Sequence, residues 1–138
     1  RVIFSTPSTA LGYFIGQRIS PDSEVKVDAA VRADMAANPA MKHFPQIASN
    51  LSHIPLLPGA QGSKSYLMDM AFSNVPGKEM TAGLYHELAG PTLHYTYTYE
   101  ELKYIWAGEF HLTDGTGQTV IAKKGDLMYF PKGTKMSF

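Results

Sequence analysis

The 138 residues suit one compact domain, and an apolar share of 44% against a charged share of 17% supplies a core. The 12 basic and 12 acidic residues cancel, which argues against an electrostatic nucleic-acid binder and a polybasic membrane anchor. The chain has no cysteine, so disulfides, thiolate metal sites and a cysteine nucleophile are excluded. No apolar run reaches the length of a membrane span. Gly16, Gln17 and Arg18 interrupt the apolar stretch near the amino terminus, so no signal peptide is read there. A cytoplasmic location is expected, with neither nucleic acid nor membrane as a partner.

Residues 1–62 are rich in Ala, Pro and Ser, and residues 63–138 in aromatic, β-branched and Gly residues. Arg1–Ser5 and Leu11–Ile15 are short β-prone runs. Ser20-Pro21-Asp22 reads as a helix start, because Ser caps, Pro is tolerated in the first turn and Asp complements the dipole. Val27, Ala30, Val31 and Met35 follow at helical spacing, and Asn38-Pro39 ends the segment. Asn38 is expected to cap a second short helix through Phe44, stopped by Pro45, with another turn over Gln46–Leu51. Pro55, Pro58, Gly59 and Gly62 mark an irregular linker.

Strand signals dominate beyond it. Ser65–Phe72 and Glu79–Leu88 are predicted strands. Thr92–Tyr99 alternates, so His94, Thr96 and Thr98 share one face and Tyr95, Tyr97 and Tyr99 the other. Leu102–Leu112 is a longer strand kinked at Gly108. Asp114-Gly115-Thr116-Gly117 is a hairpin turn, followed by strands over Thr119–Ala122, Leu127–Phe130 and Met136–Phe138. Many short strands with evenly placed turns read as a barrel or sandwich. A single domain is expected, with an amino-terminal strand and helical extension over 1–62 and a barrel core over 63–138.

Two segments carry a family likeness. Tyr99-Glu100-Glu101-Leu102-Lys103-Tyr104-Ile105-Trp106-Ala107-Gly108-Glu109-Phe110 resembles the first cupin motif. Gly125-Asp126-Leu127-Met128-Tyr129-Phe130-Pro131-Lys132-Gly133 resembles the second, with its G-D-x5-P-x-G core. Within cupins the chain is most similar to the ethanolamine-utilisation EutQ-type proteins, through Tyr99-Glu100-Glu101, Pro131-Lys132-Gly133-Thr134-Lys135-Met136 and Met80-Thr81-Ala82-Gly83-Leu84-Tyr85. The likeness implies a mainly β, jelly-roll barrel of the cupin type, with the helical segment at its amino-terminal side. Such a barrel normally has one more strand after the second motif. Arg1–Ser5 is expected to supply it beside Met136–Phe138, within one chain or across a homodimer.

Metal-binding cupins use a His-x-His and a Glu from the first motif and a His from the second. The matching positions here are His94, Thr96, Glu101 and Met136, and two of them are poor ligands for a divalent ion. No cofactor is therefore expected. The alternative is a divalent metal such as Zn, Fe, Mn or Ni held by His86, His94 and Glu101, which would suit lyase or dioxygenase chemistry. Barrel-wall histidines held by hydrogen bonds are the other reading of His86 and His94.

Glu101 is the first catalytic candidate, since a carboxylate inside an apolar barrel has its pKa raised by desolvation. A structural pair with Lys103, two residues on and on the same face, is its other reading. His94, His86 and Tyr99 complete the catalytic set, and Tyr97, Tyr85, Thr96, Lys103, Met136 and Trp106 are the substrate-contact candidates. Tyr hydroxyls can donate to a developing oxyanion and their rings can stack on a planar ligand. Trp106 is also expected to pack between sheet and helices. These residues point to an enzyme acting on a small molecule by proton transfer, as an isomerase, lyase or cyclase. The reading from another class is a non-catalytic ligand-binding or scaffold cupin. Open space beside a His–Glu pair would favour the enzyme, and a cavity filled by Tyr and Met the scaffold.

Overall fold

The computed structural model describes residues 2–3, 9–17, 40–47, 49, 51–73 and 80–138. The described residues are mainly β and contain no α-helix. The predicted helix over Ser20–Met35 lies outside them. Residues 40–44 are not helical, which corrects the expected helix ending at Phe44, while a turn closes with Ser49 N donating to Gln46 O at 2.9 Å.

Strands β1 (Val2–Ile3), β2 (Thr9–Gln17), β3 (Lys64–Ser73), β4 (Met80–Leu88), β6 (Glu100–Ala107) and β9 (Leu127–Phe130) form one sheet, in the order β3-β4-β1-β2-β6-β9. Strands β5 (His94–Thr96), β7 (Glu109–Asp114), β8 (Thr119–Lys123) and β10 (Lys135–Ser137) form the other, in the order β5-β10-β7-β8. The predicted long strand over Leu102–Leu112 is two strands. Gly108, with φ of 69°, breaks it, and the chain passes there from the first sheet to the second. A left-handed φ is cheap only for a residue without Cβ, so the glycine permits this corner.

Leu67, Tyr85, Ile105 and Phe130 from the first sheet meet Phe110, Leu112, Ala122 and Met136 from the second in one core. The period of two decides who enters it. Along β6, Glu101, Lys103 and Ile105 are buried while the residues between them are exposed. A second, smaller core sits on the far side of β3 and β4, where Ile54, Ile47 and Leu51 cover Leu84, Tyr66, Met68 and Met70. The linker then joins the edge of β3, through Leu67 N to Pro55 O at 3.0 Å and Leu57 N to Ser65 O at 2.8 Å. From there Leu57 and Ala60 drop into the main core.

The closing strand differs from the expected one. Val2–Ile3 pairs with β2, β4 and β6, in the first sheet. The partners of β10 are β5 and β7 instead. Closure comes from β2, which is antiparallel to β4 on one side and to β6 on the other. The second predicted run, around Leu11–Ile15, thus lies between β4 and β6. Gly12 stands opposite Tyr85 and Gly16 opposite Glu101.

Candidate functional site

Alternation along β6 and β4 drives charged side chains between the sheets. Glu101 and Lys103 are each 1% exposed, in a space otherwise lined by apolar and aromatic groups. They form an ion pair, the arrangement needed when charges leave water, because desolvation costs several kcal/mol per ion unless a partner offsets it. The Tyr97 hydroxyl donates to Glu101 Oε1 at 3.3 Å. Four rings surround the ammonium: Nζ of Lys103 lies 4.7 Å from the centroid of Tyr85, 5.5 Å from Phe138, 5.7 Å from Phe130 and 6.0 Å from Tyr97. Ring faces carry negative electrostatic potential, so this cage stabilises a cation that has lost its water.

A second carboxylate joins from β4. Glu87 is buried on the same face as Tyr85. The Tyr85 hydroxyl donates to its Oε2 at 2.8 Å and Ser65 Oγ to its Oε1 at 3.2 Å. Ser63 and Ser65 hydroxyls are 2.7 Å apart, so hydrogen bonds run from the linker to the Lys103 cage. Desolvation pushes the Glu87 carboxyl above its ordinary value, opposed by the bonds from Tyr85 and Ser65 and by the Lys103 charge.

A cavity of about 540 Å³ opens between the β7–β8 turn and the β9–β10 turn. Met128, Phe130, Val120, Leu112 and Met136 form its apolar wall. Phe130 is directly across from Glu101, and Met128 across from Lys103. The opening thus ends against residues adjacent to the ion pair, with the Phe130 ring stacked on Tyr97 at 5.0 Å.

The structure brings Glu101, Lys103, Tyr85, Tyr97 and Met136 together inside. Tyr99 is half-buried at the margin, its ring edge-on to Tyr97 at 5.7 Å and its hydroxyl accepting from Tyr95 at 3.2 Å. The histidines lie elsewhere. His86 occupies the opposite face of β4 from Tyr85 and Glu87, where its ring stacks on Tyr66 at 5.0 Å. His94 is exposed, 3.0 Å from Ser137 Oγ through Nδ1, and Thr96 is exposed beside it in the strand. Trp106 is on the outer face of β6 and 43% exposed. Sequence reasoning left out Glu87, Ser65 and Phe130, although Glu87 shares its strand face with Tyr85.

The donor set fits a divalent metal poorly. Of the four cupin ligand positions, Glu101 and Met136 are buried in the interior, while His94 and Thr96 are exposed on the opposite side of their strand from the core. His86, His94 and Glu101 do not converge, and no group of three or more His, Asp or Glu side chains among the described residues is arranged to hold a metal ion. The physical reason is strand parity: His86 and His94 take positions of β4 and β5 that face away from the main core, whereas Glu101 takes an inward position of β6.

Two facing sheets, the two turn motifs and a polar cluster sealed between the sheets define a cupin. A family model described as "Ethanolamine utilisation protein EutQ" matches residues 47–138, and the chain belongs to this family. It is similar to a protein named acetate kinase EutQ from Escherichia coli, with 37% identity over 62 residues, 45% of this chain and 26% of that protein. A second, of the same name, from Salmonella typhimurium is 36% identical over 62 residues, with the same shares covered. The matched stretch spans about a quarter of the length of these relatives. No solved structure matches the chain. Among the described residues no helix is long and apolar enough to cross a membrane.

Proposed function

We propose that this chain is a small-molecule cupin of ethanolamine utilisation, in which the buried Lys103–Glu101 pair handles proton transfer on a small polar substrate. The observation that carries the reading is the position of that pair, directly across β6–β9 from Phe130 and Met128 in the wall of the cavity. A ligand head that displaces the Phe130 ring meets an ammonium, two carboxylates and two phenols. The Lys103 ammonium stabilises a developing oxyanion in a site of low dielectric. Glu101 takes a proton, with the Tyr97 hydroxyl orienting its carboxylate. Glu87, whose carboxyl is raised by burial, is suited to hold a proton nearer neutral pH and return it through Tyr85. Isomerisation, elimination and cyclisation fit these groups. Among the described residues no group of three or more His, Asp or Glu side chains supports metal-dependent lyase or dioxygenase chemistry.

A second reading has its own observation. Tyr85, Tyr97, Phe130, Met136 and Phe138 fill the space around Lys103, as a non-catalytic ligand-binding or scaffold cupin would be filled. Ethanolamine and acetate, taken from the names of the family and its relatives, are the first probes. Ligand-observed NMR and product analysis with each should find a binder that is turned over, with turnover lost in Glu101→Gln while binding persists. Binding without turnover would move the chain to the second reading. Binding unchanged in a Glu101→Leu, Lys103→Leu double variant would overturn the interior as the site.

A further inference from the structure

A second cleft lies outside the barrel. Its floor is formed by β5, β10 and β7, with Leu57, Pro58, Gly59 and Gln61 of the linker along one side and the core residues Leu93, Tyr95 and Met136 at its inner edge. Register makes the floor polar. Ser137 stands between His94 of β5 and Thr113 of β7, and Lys135 stands opposite Thr96. These residues occupy the strand positions that alternate with Met136, Tyr95 and Leu112, which enter the core. The space is about 620 Å³, within the roughly 300–1,000 Å³ typical of small-molecule sites.

The charges in the cleft favour one ligand chemistry. Lys135 and His94 are its basic groups, and Thr96, Thr113, Ser137 and Gln61 add neutral donors. The His94–Ser137 bond uses Nδ1, which leaves Nε2 to meet a ligand. Among the described residues Asp114 is the one carboxylate in the lining. Its Oδ1 accepts from Thr116 N at 2.8 Å, Thr116 Oγ1 at 2.6 Å and Gln118 N at 3.1 Å, which closes the hairpin turn. Oδ1 of the acid is thus committed to its own turn, while Lys135, His94 and the neutral donors line the space.

We infer that this outer cleft is a second ligand site, distinct from the barrel interior, that takes a small oxyanion, a carboxylate or a phosphate, on His94, Ser137 and Lys135. The wall residues Asp114, Gly115, Lys135 and Met136 also line the cavity at the barrel end, so the two openings share one boundary. The cleft gives His94 a role that the barrel does not.

Titration of the labelled whole chain with inorganic phosphate and, separately, acetate, followed by amide NMR, tests this. Saturable shifts centred on His94, Thr113 and Ser137 are expected, and the tighter probe tells a phosphate site from a carboxylate site. Lys135→Met and His94→Ala should each weaken binding about ten-fold, the worth of a charge-assisted hydrogen bond. Glu101→Gln should leave it unchanged. All are assessed against an unchanged amide spectrum, with Ser137→Ala as a milder variant of the same row. The inference is overturned if neither probe saturates below about 50 mM, or if affinity is the same in Lys135→Met, His94→Ala and Ser137→Ala.

Discussion

The inner and outer faces of the same strands have opposite chemistry. Inside, β4 and β6 present Tyr85, Glu87, Glu101 and Lys103, and the ions are paired, bonded or caged by rings. Outside, Leu102, Tyr104 and Trp106 of β6 and His94 and Thr96 of β5 are exposed, and His86 of β4 is half-buried against Tyr66. A polar group in water costs little and gains little. The same group between two sheets must find a partner, and the partner then fixes its geometry. The buried ions are therefore held in place in a way that the exposed His94 is not.

The largest way to break this contrast is to remove one ion. Lys103→Leu strands Glu101 in the interior and should cost about 3–5 kcal/mol in urea unfolding. The Glu101→Leu, Lys103→Leu double variant should recover most of that loss, because buried pairs replaced by apolar residues are often neutral. A double variant as unstable as the single one would show that the pair stabilises the fold beyond cancelling its own desolvation. Gly83→Ala comes next. A Cβ there would collide with the Met68 carbonyl oxygen and lie 2.8 Å from Asp69 Cα, where the β3–β4 register slips between Asp69 and Ala71. Overpacking of this kind should cost about 1–3 kcal/mol by the same measurement.

Glu87 sharpens the contrast through pH. Its folded pKa is raised above the ordinary 4.5 by burial. The folded state then binds the proton more tightly than the unfolded chain does. The associated stability is full below the ordinary carboxylate value and is lost as pH rises through the raised folded value. Glu87→Gln keeps an acceptor for Tyr85 and should remove this decline from a plot of stability against pH. An unchanged slope would assign the decline to another group. The outer face should respond least. His86→Ala should cost about 0.5–1.5 kcal/mol through its stack on Tyr66, and His94→Ala less than about 0.5 kcal/mol in melting experiments.

Much of this was legible as period-two alternation. It put Tyr95, Tyr97 and Tyr99 on one face and His94 and Thr96 on the other, and it paired Glu101 with Lys103. The error lay in drawing His94 and Tyr97, or His86 and Tyr85, into one pocket. Adjacent-parity residues of a strand cannot share a pocket, and the family's His-x-His pattern outweighed that rule. The turns at Asp114-Gly115-Thr116-Gly117 and around Gly125 and Gly133 were read directly, since their glycines have φ of 90°, 98° and 92° at Gly117, Gly125 and Gly133. The place of β2 between β4 and β6 was not legible. Strand neighbours far apart in sequence leave no local mark, and Leu11–Ile15 is as β-prone as Arg1–Ser5. The part of Ser65 was hidden for the same reason, because its partner Glu87 is distant in the chain.

The central claim is that a small molecule reaches Lys103 and Glu101 through the cavity walled by Met128 and Phe130. Methyl-labelled methionine spectra test it most directly, because Met128 lines that cavity while Met41 is 91% and Met80 is 49% exposed. With a saturating probe, the Met128 methyl should shift while Met41 and Met80 stay, and the shift should vanish in the Glu101→Leu, Lys103→Leu double variant. A Met128 shift that survives in the folded double variant, or binding that leaves Met128 unmoved, would contradict the claim.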